Sequence, residues 1–308
     1  MKKIAIILKG RRNFGDLICY LPLILKLKLQ YQGCKVTIFG RFPQCGLLCF
    51  DGAADQFIDY SKLSHVNLIK MLRSNFDFMV NFNQSSFKIK LATAFLKKSK
   101  SQKSYKEICL DDIHNTYMAY KVLSVINSQP HDAKIISKLS SNKSNDEQYL
   151  SLLPGGGGTA GKGVFKRWDI RNFISVADNI TKSSSGFSKI IFILGNNEKH
   201  YIDFIPDEIN GIKVKIAFNL TIPDLIDIAS NSRLAISNDC GPSHIFHMLE
   251  KSMISLFGIV DTNSSPYDVI KSWFLSRENA YPIVPSYSED SINTISSEKC
   301  AKLALSLI

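Results

Sequence analysis

The chain has 308 residues, of which 45% are hydrophobic, and it carries a formal net charge of +11. This length fits two domains of about 150 residues, each large enough for its own core. The seven cysteines are odd in number and lack paired metal-ligand spacing, which argues against a disulfide framework or a zinc site. Lys9 interrupts the first apolar run, and no later run is long enough to span a bilayer, so we expect a cytoplasmic protein.

The first predicted elements are a buried strand over residues 4–8 and a helix over residues 17–31, where apolar residues recur with helical spacing. The segment between them bears a glycine turn and places Asp16 at the N-cap or in the first helical turn. Capping the helix would be a sufficient role for an aspartate in this position. A catalytic role is the alternative.

Strand-like and helix-like runs alternate through the rest of the chain, which predicts an α/β protein. The polar stretch at residues 140–147 is the best linker, and it suggests domains at residues 1–145 and 146–308. The last helix is a candidate to pack back onto the N-terminal domain. The other predicted strands lie at residues 36–39, 57–60, 78–82, 149–153, 189–194, 234–237 and 253–257.

A glycine-rich loop follows the strand predicted at residues 149–153. Its four consecutive glycines, residues 155–158, leave backbone N–H groups available and suit a loop wrapped around phosphates. Residues 156–162 nearly match a P-loop, but Gly163 replaces the magnesium-binding Ser or Thr, which argues against a Walker-type hydrolase. Two cations, Lys166 and Arg167, then precede a helix at residues 170–182 with Asp169 as its predicted cap. A flexible surface turn is the other interpretation.

A second candidate anion site lies at residues 237–244, Ser-Asn-Asp-Cys-Gly-Pro-Ser-His, between a strand and a short helix. Gly241 allows close backbone approach, Pro242 suits the first helical position, and the free N–H groups of the helix start would point at a phosphate. An ordinary cap with a buried histidine explains the same residues. A further pair, Asp111 and Asp112 with His114 nearby, resembles a helix cap more than a metal site.

Positive charge is concentrated in the first half of the chain. Residues 1–150 hold 23 Lys+Arg against 11 Asp+Glu, a balance of +12, whereas residues 151–308 hold 15 against 16. Such a field would attract an anionic acceptor or an anionic membrane surface, and a generally basic, solvated surface is the plain alternative. No nucleic-acid-binding module is apparent, so no nucleic acid partner is expected. One visible cluster comprises Lys97, Lys98 and Lys100.

Together these segments resemble the ADP-heptose:lipopolysaccharide heptosyltransferases, glycosyltransferase family 9, along nearly the whole chain. Each motif alone is weakly specific, and their shared order makes the signal strong. The segments that carry the resemblance are residues 14–17 with 21–23 behind them, residues 154–156 running to Lys166-Arg167-Trp168, residues 193–195 with Glu198, and residues 237–244 followed by 254–258.

The resemblance implies two Rossmann-like domains facing each other across a cleft, the GT-B arrangement, with the acceptor bound mainly by the first domain and the nucleotide sugar by the second. Asp16 would be the general base and Lys166 would bind the diphosphate. Glu198 would hold the ribose, and the backbone near Leu220 would meet the adenine. The other implied donor-binding residues are Gly157, Gly158, Thr159, Asp239, Cys240, Gly241 and His244, and the acceptor-binding residues are Arg11, Arg12 and Asn13.

The reaction implied by the resemblance is inverting, metal-independent transfer of a heptose from ADP-heptose to an anionic saccharide or lipid-linked acceptor, such as lipopolysaccharide inner core. No cofactor is expected, and peripheral contact with the inner membrane is a further expectation. Two alternatives stay open: a transferase of the same architecture with a different nucleotide sugar, and a non-catalytic sugar-nucleotide-binding protein. Cys240 departs from the family pattern, which usually has Thr there, and the glycine loop is longer than usual. Both departures bear on the identity of the donor.

Overall fold

The computed structural model describes residues 1–10, 13–97, 105–113, 116–140, 147–156, 166–258, 265–287 and 291–308, with backbone only at residues 74, 95–97 and 111. The chain divides into two compact units, Met1–Ile135 and Ile136–Ile308. The predicted linker at residues 140–147 lies a few residues after this boundary in the sequence, and its residues 141–146 lie outside the described ranges. Each unit is built on its own sheet.

The described residues of the N-terminal unit form a five-stranded parallel sheet in the order β3-β2-β1-β4-β5. β1 therefore lies at the centre, and the strand order reverses between β1 and β4. The buried residues of β1 and β2 form the middle of the core, in agreement with their uninterrupted apolar sequences. The strands are β1 (Lys3–Ile7), β2 (Lys35–Gly40), β3 (Gln56–Asp59), β4 (Phe78–Asn81) and β5 (Tyr105–Glu107).

Helices cross between these strands, as the alternating pattern predicted. They are α1 (Phe14–Ile18), α2 (Leu21–Gln30), α3 (His65–Asn75), α4 (Phe87–Lys97) and α5 (Met118–Leu123). The prediction of one continuous helix over residues 17–31 is wrong, because the chain breaks at Cys19 and Tyr20 between α1 and α2. Pro22 explains the break, since it has no N–H to bond the carbonyl four residues earlier and its ring would clash there.

The aspartate pair at residues 111 and 112 does not cap a helix. It lies inside a short 3₁₀ helix, Leu110–Asp112, whose N-cap residue is Cys109. The Asp112 N–H donates to the Cys109 carbonyl oxygen at 3.2 Å, so the backbone turn begins before the aspartate pair. His114 lies outside the described residues.

The described residues of the C-terminal unit form a seven-stranded sheet in the order β12-β11-β10-β6-β7-β9-β8. All neighbouring pairs are parallel except β8 and β9, a hairpin turned by Asn210 and Gly211, which both have positive φ. The chain builds one half of the sheet outward from β6 and then crosses to β10 on the other side. The strands are β6 (Tyr149–Leu153), β7 (Lys189–Leu194), β8 (Glu208–Ile209), β9 (Ile212–Phe218), β10 (Ser232–Asn238), β11 (Met253–Leu256) and β12 (Ala280–Ile283).

The C-terminal helices are α6 (Ile170–Ser183), α7 (Ile222–Ser230), α8 (Ser243–Met248), α9 (Pro266–Trp273) and α10 (Ser297–Leu305). α6 begins as predicted, since the Asp169 carboxylate accepts the Arg171 N–H at 2.8 Å as its N-cap. Hydrogen bonds from the Arg171 guanidinium lower the pKa of that carboxyl. The last helix, α10, packs on α6 within its own unit. Phe173 and Val176 on the inner face of α6 belong to the core.

Candidate active site

The functional candidates of the C-terminal unit gather at the carboxyl ends of β6 and β10, where the strand order reverses. Ligands of open α/β sheets bind at such a switch point, because the connections after the two strands run to opposite faces and leave a crevice. Pro154, Gly155 and Gly156 follow β6, and Asp239 follows β10. The structure thus brings the two segments predicted from the sequence to one edge of one sheet. Pro154 and Asp239, one from each segment, are 85 positions apart in the chain.

Asn238, the last residue of β10, joins these segments through a fully buried amide. Its Nδ2 donates to the Pro154 carbonyl oxygen at 2.8 Å, and its Oδ1 accepts the Trp168 N–H at 3.2 Å. One side chain therefore holds the chain on both sides of the glycine-rich loop. Sequence reasoning gave Asn238 no role, although an amide among buried strand residues is the kind of polar group that needs two partners.

Lys166 and Asp239, predicted to act on the donor, form an ion pair through Nζ and Oδ2. The two side chains are only 15% and 14% exposed. Because solvent screens such a pair weakly, each charge holds the other in place at the crevice. The pair puts the ammonium group beside the end of β10.

Arg167 and Glu198 form a second ion pair, with 3.1 Å between Nη2 and Oε1. Arg167 also donates from Nε to the Gly156 carbonyl oxygen at 3.0 Å, and Glu198 accepts the Gly195 N–H at 3.1 Å. These contacts join the ends of β6 and β7 to the segment before α6. Arg167 was part of the sequence motif but was not among the predicted site residues, because its link to Glu198 is a long-range contact.

The glycines at the start of the loop are closely packed. A Cβ atom on Gly155 would lie 3.3 Å from Glu198 Cδ, and one on Gly156 would lie 3.3 Å from the Lys166 carbonyl oxygen. Both distances are tighter than ordinary carbon contacts, so a side chain would push the ion-paired groups away. The predicted donor-binding residues Gly157, Gly158 and Thr159 lie outside the described residues.

The start of α8 differs from the prediction of free N–H groups. The N–H groups of Ser243 and His244 each donate to the carbonyl three residues earlier, at 3.3 Å, and Ile245 does the same at 3.1 Å. Pro242 is the N-cap residue rather than the first helical residue. The turn begins with 3₁₀ bonds, which occupy the donors that an α-helical start would leave available. The N–H groups of Ser243, His244 and Ile245 are therefore already hydrogen-bonded, whereas the sequence had suggested free donors.

The other predicted donor residues on this segment are buried. His244 is 3% exposed, and its ring lies 5.5 Å from the Trp273 ring of α9. Cys240 is 8% exposed, and burial raises the pKa of its thiol to about 12, so it stays neutral. His247, one turn beyond His244, packs edge-on against Phe274 at 4.7 Å, and burial keeps its pKa well below the ordinary histidine value.

Leu220, expected near the adenine, lies directly after β9 and is half-buried. The preceding residue, Asn219, has φ of 50° and donates from Nδ2 to Asn196 Oδ1 at 2.6 Å. β7 and β9 are parallel neighbours, so this turn and Glu198 follow strand ends at the same edge of the sheet. The ribose and adenine positions implied by the resemblance are thus side by side.

In the N-terminal unit, Asp16 lies in the first turn of α1 and is 9% exposed. The helix follows β1, the central strand beside the reversal of strand order, so Asp16 occupies the position in this sheet that the loop after β6 occupies in the other. Asn13 is the exposed N-cap residue, and its side chain makes no capping hydrogen bond. Arg11 and Arg12 lie outside the described residues.

Two further properties of the described residues bear on the site. No group of three or more His, Cys, Asp or Glu side chains in them is placed to hold a metal ion. None of the helices in those ranges has the length and apolar character that a membrane crossing requires.

Comparison with known proteins finds relatives in sequence and in fold. The chain is 26% identical over 266 residues to lipooligosaccharide heptosyltransferase 2 of Campylobacter jejuni, covering 82% of this chain and 81% of that relative. The fold matches E. coli heptosyltransferase WaaC solved with ADP, at a TM-score of 0.66, 12% identity and coverage of 99% of this chain and 100% of that one. The same protein solved with ADP-2-deoxy-2-fluoro heptose matches at a TM-score of 0.64, 13% identity and 99% coverage of both chains.

These matches confirm the predicted fold class, two Rossmann-like domains of the GT-B glycosyltransferases. A family model described as glycosyltransferase family 9 (heptosyltransferase) matches residues 124–284, more than half of the chain. That stretch includes β6, the switch point and both ion pairs. The chain therefore belongs to glycosyltransferase family 9, the heptosyltransferases, and is a glycosyltransferase.

Proposed function

We propose that the protein transfers a heptose from ADP-heptose to an anionic saccharide acceptor such as lipopolysaccharide inner core, with inversion and without a metal ion. Family membership and the relative named as a lipooligosaccharide heptosyltransferase support heptose transfer. The structural match solved with an ADP-heptose analogue supports the donor. The observation that carries the proposal is the presence of two cations, Lys166 and Arg167, at the switch point of the C-terminal sheet.

Those cations suit the leaving group. Negative charge builds on the diphosphate as the sugar–phosphate bond breaks, and preorganised cations at that position stabilise the transition state more than the ground state. In this proposal the diphosphate displaces Asp239 as the partner of Lys166, and Asp239 then turns to the sugar hydroxyls. Glu198, held by Gly195 and Arg167, accepts hydrogen bonds from the ribose.

Asp16 is the proposed general base. Its carboxylate accepts the proton of the acceptor hydroxyl as the oxygen attacks the anomeric carbon from the face opposite the diphosphate, so the configuration inverts. Its place in the first turn of α1 suits an anion, because the positive end of the helix dipole favours negative charge there. No step in this scheme uses a metal ion.

The acceptor side of the proposal rests on charge. The excess of +12 in residues 1–150 would steer an anionic, lipid-linked acceptor toward the N-terminal unit, with Arg11, Arg12 and Asn13 as the proposed contacts. The enzyme would work in the cytoplasm as a peripheral protein at the inner membrane. Glycosyl transfer to a lipid-anchored saccharide takes place at such a surface.

A donor panel tests the proposal. The purified protein is mixed with ADP-heptose, ADP-glucose, UDP-N-acetylglucosamine or GDP-mannose, and thermal stabilisation and sugar transfer are measured with and without EDTA. We expect ADP-heptose alone to give both signals, EDTA to have no effect, and NMR to show an inverted anomeric centre. Turnover with another donor would replace the proposed donor, and binding without turnover would identify a non-catalytic sugar-nucleotide-binding protein.

A further inference from the structure

The helix pair α3 and α4 of the N-terminal unit lies in sequence that contains no acidic residue. Residues 60–76 and 82–106 hold ten Lys+Arg and no Asp or Glu. The two helices pack against each other, and buried residues of both belong to one core cluster with strand residues. Five of these ten lie in α3 and α4, and the side chain of one of them, Lys97, lies outside the described residues. The Lys, Arg, Asp and Glu side chains of the two helices are thus all basic.

The two helices separate apolar from basic residues. Leu68, Leu72 and Ile89 are fully buried in the core cluster beside β1 and β4. Lys70, Arg73 and Lys90 are exposed on the other side. The flanking carboxylates are already engaged, since Asp77 accepts the Lys3 N–H at 2.9 Å and Asp59 accepts the Ser61 N–H at 3.0 Å. The outward face thus keeps its positive field.

Two large apolar side chains stand out at one end of this pair. Val66 in the first turn of α3 is 58% exposed, and Phe87, the first residue of α4, is 74% exposed. Lys88 joins the two helix starts, because its Nζ donates to the Leu63 carbonyl oxygen and, at 3.3 Å, to that of Ser61. The exposed valine and phenylalanine therefore sit at the same end of the basic face.

We propose that the outward face of α3 and α4, which we call the α3–α4 face, docks on an anionic lipid bilayer. Basic side chains gain from the negative surface potential of such a bilayer, and a phenylalanine gains from entering the boundary between headgroups and acyl chains. Charge complementarity with few competing carboxylates, together with exposed apolar residues at one end, fits this partner. The inference rests on the proposed function only for the reason to be at a membrane, namely a lipid-linked acceptor.

Vesicle co-sedimentation of the full chain tests the docking without turnover. We expect binding to phosphatidylcholine vesicles that contain phosphatidylglycerol, weak binding to phosphatidylcholine alone, and release at high salt. The combined variant Lys70→Gln, Arg73→Gln, Lys90→Gln should weaken binding by roughly a hundredfold, since each basic residue near the surface contributes about fivefold. Phe87→Ser should weaken binding with the charge intact.

The matched control removes the same charge from exposed positions of the C-terminal unit, by Lys213→Gln, Lys215→Gln and Lys302→Gln. Its binding should stay within a few-fold of the wild type. Equal losses in both combined variants, or equal binding to neutral vesicles, would refute the α3–α4 face as the docking site. Transfer to a soluble acceptor without acyl chains separates the two proposals. Normal transfer by a protein that does not bind vesicles would reject docking alone, and absent transfer by one that does would reject the proposed function alone.

Discussion

The two units use the same local design, a central parallel strand followed by a connection and a helix, for different chemistry. In the N-terminal unit only six residues separate β1 from α1, and the conspicuous charged group is the carboxylate of Asp16 inside the first turn. In the C-terminal unit sixteen residues separate β6 from α6, and the connection carries glycines and the cations Lys166 and Arg167. The length and composition of one connection thus decide whether a switch point presents a carboxylate or a pair of cations.

The largest effect is expected for the Asp16 carboxylate of the N-terminal unit. Asp16→Asn should lower kcat by about 10²- to 10⁴-fold, because an amide cannot accept the acceptor proton. Donor affinity should not change, since the proposed donor contacts lie in the other unit. Steady-state kinetics and calorimetry with ADP measure the two quantities. Asp51→Asn, at an exposed position, is the control, and near-normal turnover by Asp16→Asn would remove Asp16 from its role.

The Asn238 amide, which holds the connection between β6 and α6, should affect both the stability of the protein and its affinity for ADP. Asn238→Leu leaves the Pro154 carbonyl and the Trp168 N–H without their partner, at a cost of roughly 1–3 kcal/mol each. Urea unfolding should show this loss, and ADP should bind more weakly. Asn231→Leu removes a buried amide that bonds the Asp227 carbonyl oxygen away from the switch point. It should destabilise the protein yet leave ADP affinity intact; an equal loss of affinity would reduce Asn238 to a purely structural residue.

Among the cations of the C-terminal unit, Lys166 is proposed to contact the diphosphate. Lys166→Ala should therefore weaken the binding of ADP more than that of adenosine. A hydrogen bond to a charged group contributes about 1.5–3 kcal/mol, so ADP affinity should fall by roughly 10- to 100-fold. Calorimetry with both ligands measures the difference. Lys182→Ala, which breaks an exposed pair with Asp178, should change neither affinity. If ADP and adenosine lose affinity equally at Lys166→Ala, the effect is on folding.

The smallest effect contrasts the fields of the two units. With a soluble anionic acceptor, raising the salt concentration should raise the acceptor KM a few-fold and leave the donor KM nearly unchanged, because exposed charges more than about 8 Å apart are screened at physiological salt. Neutralising Lys97, Lys98 and Lys100 together should reduce that dependence; Lys98, Lys100 and the Lys97 side chain lie outside what the structure describes. Acceptor kinetics that do not respond to salt would contradict steering.

Prediction from sequence succeeded for segments with strong local signals. The apolar runs of β6 and β7 were predicted with the bounds that the structure has. β9 was missed, because lysines at positions 213 and 215 alternate with its apolar residues on a half-exposed surface. β12 was missed because it is a short edge strand that contains Pro282, which edge positions tolerate and which masks the strand pattern.

The site shows the same division. The residues Lys166, Glu198 and Asp239 could be singled out because their motifs are local. Their pairing could not, since Lys166 with Asp239 and Arg167 with Glu198 depend on the order of strands across the sheet. The prediction of free N–H groups at the start of α8 was wrong for another reason. An α turn and a 3₁₀ turn have nearly the same sequence preferences but leave different N–H groups available.

Trp168 makes the C-terminal unit optically distinct. The chain has two tryptophans, Trp168 and Trp273, and both belong to this unit. Trp168 lies two residues after Lys166. Its indole is fully buried and donates to the Ile295 carbonyl oxygen at 3.1 Å. Tryptophan emission therefore follows the unfolding of one unit, whereas far-ultraviolet circular dichroism follows both. Two denaturation curves that fail to coincide would reveal that the units unfold as separate cooperative blocks.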